Sequence, residues 1–581
     1  MDLRLIGATA TDAERRAVAS AIPEAEIELE AGRAVAAGHR ARSLRHLLLP
    51  ALAAVQSEIG WISQGSVDEI ARRLQVPPAE VFSVASFYAL LSLAERPARV
   101  AHVCDDSACR ATGGEAVLGA LAEREDVVAS PCLGQCDFGS AAFIQRAGED
   151  DFVIAPASAA EVTSALNGSQ PGTSTPVAPR SALRILSRVG VVDPSSLDSY
   201  RAHGGYEALA KTVDRGGEWV LDQVTASNLR GRGGAAFPTG VKWKGAIDSE
   251  DPETYLICNA DESEPGTFKD RVVMEGDPFS VIEAMTIAGL TIGARQGFIY
   301  IRGEYPAAAA ALRSAIERAR AEGLLGPDIL GSGLAFDIEP RHGQGAYICG
   351  EETALFNSIE GFRGEPRQKP PFPTTAGLFS KPTVVNNVET LVNVLDIVNR
   401  GGEAFARTGT PDSTGTRLFC VSGAIDEPGV YEVEFGTTLG SILEMAGGAP
   451  EDLQAILLGG AAGGFVGADL LDLPLTFEDS RAAGVALGSG VIVVYDASVD
   501  MRQVTRRIAR FFRDESCGQC VPCRVGTVRI EEALARALVG DGALETDLID
   551  DIDRAMKDAS ICGLGHTAAT AIQSAISMGL I

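Results

Sequence analysis

Eight of the chain's eleven cysteines fall into two sets of four whose spacing suits iron rather than disulfides. The first is Cys104-x4-Cys109 with Cys132-x3-Cys136; the second is Cys517-x2-Cys520-x2-Cys523 with Cys562. Each set offers four thiolates, the complement a rhombic or cuboidal iron–sulfur cluster takes. A structural zinc ion competes for the second set, since four thiolates suit it too. Cys258, Cys349 and Cys420 have no partner at ligand spacing and read as small buried apolar residues. His102 and His342 are isolated, and His566 follows a set already complete in thiolates.

Between the sets lies a glycine-rich region. Gly231, Gly233 and Gly234, followed by Lys242, form a loop whose amides can approach a phosphate, with Arg232 or Lys242 supplying charge. By itself such a loop reads equally well as a turn. Asn259-Ala260-Asp261-Glu262-Ser263-Glu264 then places three acids beside a strand end, suited to sugar or ribityl hydroxyls or to a solvated loop. A third segment, 343–353, contains Tyr347, Gly350, Glu351 and Glu352 and leads into a helix N-terminus, where partial positive charge favours an anion or a reduced flavin. Lys369, Phe372 and the pair Asn386 and Asn387 add polar groups and an aromatic ring.

The elements that must hold these residues are legible in outline. Residues 43–93 show helical periodicity, with Ser66 and Glu69 as a capping box and Pro77-Pro78 as a break. A strand at 100–103 ending at Cys104 and a helix at 115–123 indicate a compact α/β module. Residues 167–180 are dense in Gly, Ser, Thr and Pro and read as a tether. Strands at 255–258, 298–301 and 336–338 alternate with helices, and ligands in such sheets bind at the carboxyl ends of strands. Short strands at 418–421 and 430–433 indicate a small β-rich domain, and 502–581 is helical. The apolar run at 284–294, bounded by Glu283 and Arg295, reads as a buried helix.

Residues from about 200 to 580 resemble the flavin- and NADH-binding subunit of respiratory complex I and the diaphorase subunits of NAD-reducing hydrogenases and formate dehydrogenases. Residues from about 40 to 165 resemble the thioredoxin-like [2Fe-2S] subunit that accompanies it. The resemblance implies FMN, NAD(H), one [4Fe-4S] and one [2Fe-2S] cluster. It places FMN among Gly231, Gly233, Gly234, Lys242, Asn259, Asp261, Ser263, Tyr347, Gly350, Glu351, Asn386 and Asn387. It places NADH near Phe237, Glu264, Glu352, Lys369 and Phe372, with Glu262 lining the same pocket. Cys104, Cys109, Cys132 and Cys136 would hold the [2Fe-2S] cluster, and Cys517, Cys520, Cys523 and Cys562 the [4Fe-4S] cluster.

The implied fold class is α/β multidomain, with boundaries we read as follows. An N-terminal segment (1–40) precedes a helical bundle (41–99), a thioredoxin-like ferredoxin domain (100–166) and the linker (167–180). A Rossmann-like FMN/NADH domain (181–415), a β-rich ubiquitin-like domain (416–500) and a helical [4Fe-4S] domain (501–581) complete the chain. Three departures from the family pattern stand out. Ala236 replaces a glycine, Gly245 stands where a second stacking aromatic is usual, and only 22 residues separate Cys109 from Cys132, as if a hairpin were trimmed.

Bulk properties narrow the function further. A formal charge of -28 argues against nucleic acid or an anionic membrane as a main partner. No stretch reaches the ~18 apolar residues of a bilayer span, and Asp2, Arg4 and Asp12 are foreign to a signal peptide, so a cytoplasmic location is expected. Hydride donors deliver electrons in pairs and iron–sulfur clusters take them singly, so a flavin belongs between them. No protein acid or base is then required as a catalytic residue; Glu351 and Glu352 position. The fusion of both modules favours a diaphorase subunit whose partner is an iron–sulfur and substrate-oxidising chain, first a molybdenum or tungsten formate dehydrogenase. A hydrogenase or complex I partner is the alternative, and a redox sensor or scaffold is the reading of a different class.

Overall fold

The parallel strands Asp337–His342, Gln296–Ile301, Tyr255–Ala260 and Thr383–Asn387 lie side by side in that order. The three strands Gln296–Ile301, Tyr255–Ala260 and Thr383–Asn387 carry buried apolar runs, as expected for strands covered on both faces, whereas the edge strand Asp337–His342 is more polar and only partly buried. The helix Pro278–Ile292 packs beneath them, and every residue in it but Leu290 is buried. Glu283 sits inside this helix rather than closing it. Its carboxylate accepts from Tyr200 Oη at 2.6 Å and from the amides of Tyr206 and Leu209 at 2.8 and 3.0 Å. The chain is described here by a computed structural model over residues 5–22, 43–169, 179–539 and 544–581. Residues 1–4 and 23–40 of the expected N-terminal segment and 170–178 of the expected tether fall outside the described residues.

The N-terminal helices Leu48–Ile59, Gln64–Leu74 and Pro78–Ala85 form the expected bundle. The expected capping box at Ser66 is displaced by one turn: Ser63 is the cap, its side chain accepting from Ser66 N. Glu69 instead pairs with Arg72 and Arg73 one turn on. The next sheet has the strand Arg99–Cys104 at its centre, parallel to Val127–Ser130 and antiparallel to Ala142–Arg146. The helix expected at 115–123 is shorter, Gly114–Ala120. A five-stranded sheet including Thr416–Gly423 and Gly429–Glu434 forms the β-rich domain. The C-terminal helices begin with Met501–Glu515, whose apolar face buries Val504, Ile508, Phe511 and Phe512.

Buried charge joins the modules. Arg271 meets Asp137 through two 2.8 Å hydrogen bonds, and Arg507 lies 2.8 Å from Asp105 and 3.3 Å from Asp106. The helical bundle braces the flavin-side loop as well: Ala89 N and Leu90 N donate to the carbonyls of Gly345 and Gln344. Among the described residues no helix is long and apolar enough to cross a membrane.

Glu432 ties the start of the α/β domain to the β-rich sheet. Its fully buried carboxylate accepts from the amides of Leu183, Arg184, Ile185 and Leu186 and from Thr416 Oγ1. Glu432→Ala leaves these donors without an acceptor and is expected to cost about 3–5 kcal/mol, since each unmet buried group costs roughly 1–3. Denaturant unfolding checks the loss, and amide hydrogen exchange at 183–186 locates it.

Candidate functional site

Asp261, Gly350 and the pair Asn386–Asn387 gather where the parallel strands end. Asn259 Nδ2 donates to the Gly350 carbonyl at 2.8 Å, and Ser263 Oγ donates to Asp261 Oδ2 at 3.0 Å. A Cβ added at Gly350 would come within 3.4 Å of Asp261 Oδ2, and one at Gly233 within 3.0 Å of the Asn387 Cβ. Gly231 belongs to a tight hairpin, its amide bonded to the Phe237 carbonyl at 2.9 Å, and Gly234 takes a left-handed φ of 122°. Trp243 Nε1 fixes Asn386 at 2.8 Å. Asn387 caps the helix Val388–Arg400 and is held by Asp270 at 2.6 Å and Lys269 at 3.3 Å.

One side of the pocket is a chain of alternating charges. Lys242 Nζ lies 3.3 Å from Glu352, and Lys369 Nζ lies 2.8 Å from Glu352 and 2.9 Å from Glu351. Burial raises the Glu352 pKa, but the two lysines outweigh it and hold the carboxyl below its usual value. Phe237 and Phe372 are large apolar rings left 49% and 59% exposed, as rings awaiting a stacking partner would be. Tyr347 donates to Glu264 at 2.6 Å, and Ala462 N donates to the other oxygen at 2.9 Å. Burial pushes Asp261 up to about 8 and Glu264 up to about 7. A desolvated carboxyl beside amides and hydroxyls, glycines that leave room, and a lysine at the rim fit a polyhydroxylated flavin phosphate.

Three expectations need correction. Arg232 supplies no charge to a phosphate: it is fully buried, stacks on Phe435 and donates to the Thr414 carbonyl. Glu262 does not line the pocket. With φ at 30°, its side chain turns back to accept from Asp270 N at 2.6 Å, Arg271 N at 2.9 Å and Tyr305 Oη at 3.0 Å. It thereby caps the helix Lys269–Gly276. The helix N-terminus after Gly350 offers little to an anion either, because Glu351 already accepts from Thr353 N and Ala354 N.

The thiols converge in both sets. Cys104, Cys109, Cys132 and Cys136 are each at most 3% exposed, and the Cys132 and Cys136 sulfurs lie 3.4 Å apart. The short connection suffices because Gly114–Ala120 leads into Val127–Ser130, whose register sets Ser130 opposite Cys104. In the second set Cys523 is buried while Cys517, Cys520 and Cys562 reach the surface. A Cβ at Gly565 would run into the Ser560 side chain and come within 3.2 Å of the Cys523 Cβ, so glycine lets the turn after Cys562 pack close to Cys523. Burial pushes the Cys523 thiol up to about 12 and Cys562 up to about 11, so a cluster must displace their protons. Nothing in the spacing of residues marks Glu515, which accepts from Tyr347 N at 2.8 Å and joins the flavin-side loop to the second cysteine set. Arg302 is likewise unmarked, though its place directly after the strand Gln296–Ile301 is a signal of a kind. Cys258, Cys349 and Cys420 are buried, and Cys420 accepts from Phe268 N at 3.2 Å.

The raised carboxyls have a consequence for stability. Between its ordinary value and about 8, the folded-state Asp261 holds a proton that the unfolded chain has lost. Stability should therefore fall as pH rises across roughly 4 to 8. The unfolding midpoint of the flavin-free chain is expected to drop over this window, and Asp261→Asn to flatten the slope; thermal denaturation at stepped pH measures both.

Four sequence families match. They are the Nuo51 FMN-binding domain (224–396), the NADH-ubiquinone oxidoreductase-F iron-sulfur binding region (503–578), the thioredoxin-like [2Fe-2S] ferredoxin (34–163) and the SLBB domain (418–465). The iron–sulfur match replaces the zinc alternative. The HndC subunit of the NADP-reducing hydrogenase of Solidesulfovibrio fructosivorans is 45% identical over 397 residues, 68% of this chain and 81% of that protein. The F subunit of the NADH-quinone oxidoreductase of Aquifex aeolicus is 44% identical over 395 residues, 68% of this chain and 91% of that one. The fold superposes on NAD+-reducing [NiFe]-hydrogenase in its air-oxidized state with a TM-score of 0.80 and 33% identity, covering 91% of both chains. Cysteine sets, acidic loop, lysine-bridged acids and these likenesses agree: the chain belongs to the NADH-quinone oxidoreductase-F family of flavin iron–sulfur oxidoreductases, with an FMN- and NADH-binding domain and a [4Fe-4S] region joined to a thioredoxin-like [2Fe-2S] domain.

Proposed function

We propose that this chain is the diaphorase component of an NAD-linked formate dehydrogenase complex, passing electrons between NAD(H) and a separate molybdenum- or tungsten-bearing chain. The reading is supported by one polypeptide that carries both cysteine sets beside its α/β domain: Arg302 bonds the Cys132 carbonyl, and Tyr347 N bonds Glu515 just ahead of Cys517. The domain limits given above are part of the same proposal. The chemistry that FMN supplies when bound is the conversion between hydride exchange with the nicotinamide and single-electron exchange with the clusters.

The chain's own residues orient and insulate. Gly231, Gly233 and Gly234 leave room for the flavin phosphate, with Lys242 at its rim; Asp261, Asn259 and Asn386 hold the polyol and ring. Lys369 and Glu352 fix the nucleotide, and Phe237 and Phe372 give its base a stacking surface. The exposed edge of the second cysteine set, bordered by Val521 and Val525 at 58% and 46% exposure, is the face we assign to the electron-accepting partner.

A second reading, a hydrogenase partner, is favoured by the likeness to NAD+-reducing [NiFe]-hydrogenase over 91% of the chain. Purifying the intact complex and measuring metals with formate- and hydrogen-dependent NAD+ reduction separates them. Molybdenum or tungsten with formate activity supports the first; nickel with hydrogen activity supports the second. NADH-dependent ferricyanide reduction by the FMN-loaded chain tests the diaphorase step common to both.

Gly245 gives a finer test. It lies exposed, and its Cβ position is open apart from Thr374 Oγ1 at 3.4 Å. Gly245→Phe is expected to add a second stacking ring and lower the KM for NADH about two- to tenfold, as roughly 0.5–1.5 kcal/mol of aromatic contact implies. Steady-state kinetics with ferricyanide measures it, with kcat expected to stay put.

A further inference from the structure

Three guanidinium groups from outside the thioredoxin-like module approach the first cysteine set, and they differ in how far their charge is compensated. Arg271 forms a paired contact with Asp137 at 2.8 Å and a second with Glu275 at 3.3 Å, while its Nε donates to the Gly134 carbonyl. Arg507 faces two carboxylates, Asp105 and Asp106. Arg302 is only 3% exposed and has one carboxylate in ion-pair range, Glu304, at 3.1 and 3.3 Å. Its two best hydrogen bonds go to backbone carbonyls: Nη2 to Cys132 at 2.7 Å and Nη1 to Glu262 at 2.9 Å. Arg271 and Arg507 therefore act as clamps, each well matched by acids. Arg302, paired with one acid only, turns its guanidinium directly onto the backbone of a cluster ligand, with Glu304 behind it.

We infer that Arg302 is a positioning residue that sets the reduction potential of the [2Fe-2S] site through Cys132, with Glu304 as its partial counterweight. The inference rests on reading Cys104, Cys109, Cys132 and Cys136 as the cluster ligands. Accepting one electron makes the site one unit more negative. A buried cation nearby stabilises that state far more than it would in water, because the local dielectric is low. The sign is fixed by this geometry: losing the cation disfavours reduction, and losing the counter-anion favours it. A purely structural contribution from the two side chains has no reason to produce opposite signs.

The test is a redox titration of the purified full chain with its cofactors, following the [2Fe-2S] signal by electron paramagnetic resonance. Arg302→Gln is expected to lower the midpoint by a tenfold or greater change in the oxidised-to-reduced ratio, about 59 mV for a one-electron couple. Glu304→Gln is expected to raise it, and Arg302→Lys, which keeps the charge, to stay within about threefold of the parent. The [4Fe-4S] midpoint should move less than the [2Fe-2S] midpoint in each of them, because Arg302 touches Cys132 directly and reaches the second set only through Glu515. Should Arg302→Gln lose its iron, Glu304→Gln and Arg302→Lys decide the matter. Shifts of the same sign in Arg302→Gln and Glu304→Gln, or no rise in Glu304→Gln, overturn the inference. Iron and sulfide content and the resonance spectrum of the parent chain test the ligand reading separately: a parent chain lacking the signal removes that reading, whereas a normal signal with unmoved midpoints removes only the role of Arg302.

Discussion

Three carboxylates in four residues at the end of a buried strand would be intolerable without partners, and meeting that demand organises much of the molecule. Burying an unpaired charge or polar group costs free energy, so Asp261, Glu262 and Glu264 must each find hydrogen-bond partners or keep a proton. Each finds them in a different element. Glu262 takes the first amides of the helix Lys269–Gly276, and Glu264 takes Tyr347 and the amide of Ala462 in the β-rich domain. Asp261 takes only the Ser263 hydroxyl. The helix that Glu262 caps carries Arg271, and Arg271 grips the Gly134 turn between two cluster cysteines. An acidic loop that reads as a ligand-binding patch is thus also the joint between the flavin domain and the first cysteine set.

The same economy explains the departures from the family pattern. Ala236 adopts φ 52° in a turn where the resemblance leads one to expect glycine, a conformation that costs a non-glycine residue about 1–2 kcal/mol. The surrounding hairpin, closed by Gly231 N on the Phe237 carbonyl, holds it there and keeps Phe237 presented at the pocket. With no side chain at Gly245, Phe237 and Phe372 are the exposed rings at that rim. The shortened segment between Cys109 and Cys132 loses no ligand, because one helix and one strand still return the chain to Cys104.

Electron-transfer sites must be close enough to communicate and dry enough to be tuned, and the chain meets both needs with shared walls. Tyr347 is the clearest case. Its hydroxyl bonds Glu264, its amide bonds Glu515 just ahead of Cys517, and its ring packs edge-on against Phe511 at 5.0 Å. One side chain and its backbone therefore touch the acidic loop, the second cysteine set and the C-terminal helix that carries it. The N-terminal bundle adds a brace from the other side, through Tyr88 Oη on Ser358 and the amides of Ala89 and Leu90 on the loop before Tyr347.

The eight clustered cysteines, the alternation of strands and helices, and the placement of polar loops at strand ends were legible in the residues themselves. They depend on local spacing and on ligand number, which a linear sequence records directly. Direction and partnership were not legible. The charge of Arg232 and the acid of Glu262 look like pocket groups in the string of residues. Each turns away, because Thr414 and Phe435 claim one and a helix N-terminus claims the other. The cap at Ser63 rather than Ser66 was lost for a related reason, since Ser66 is buried within the packed bundle. Sequence determines which groups are available, whereas which way each one points is settled by competition among buried donors and acceptors that only the folded chain brings within reach.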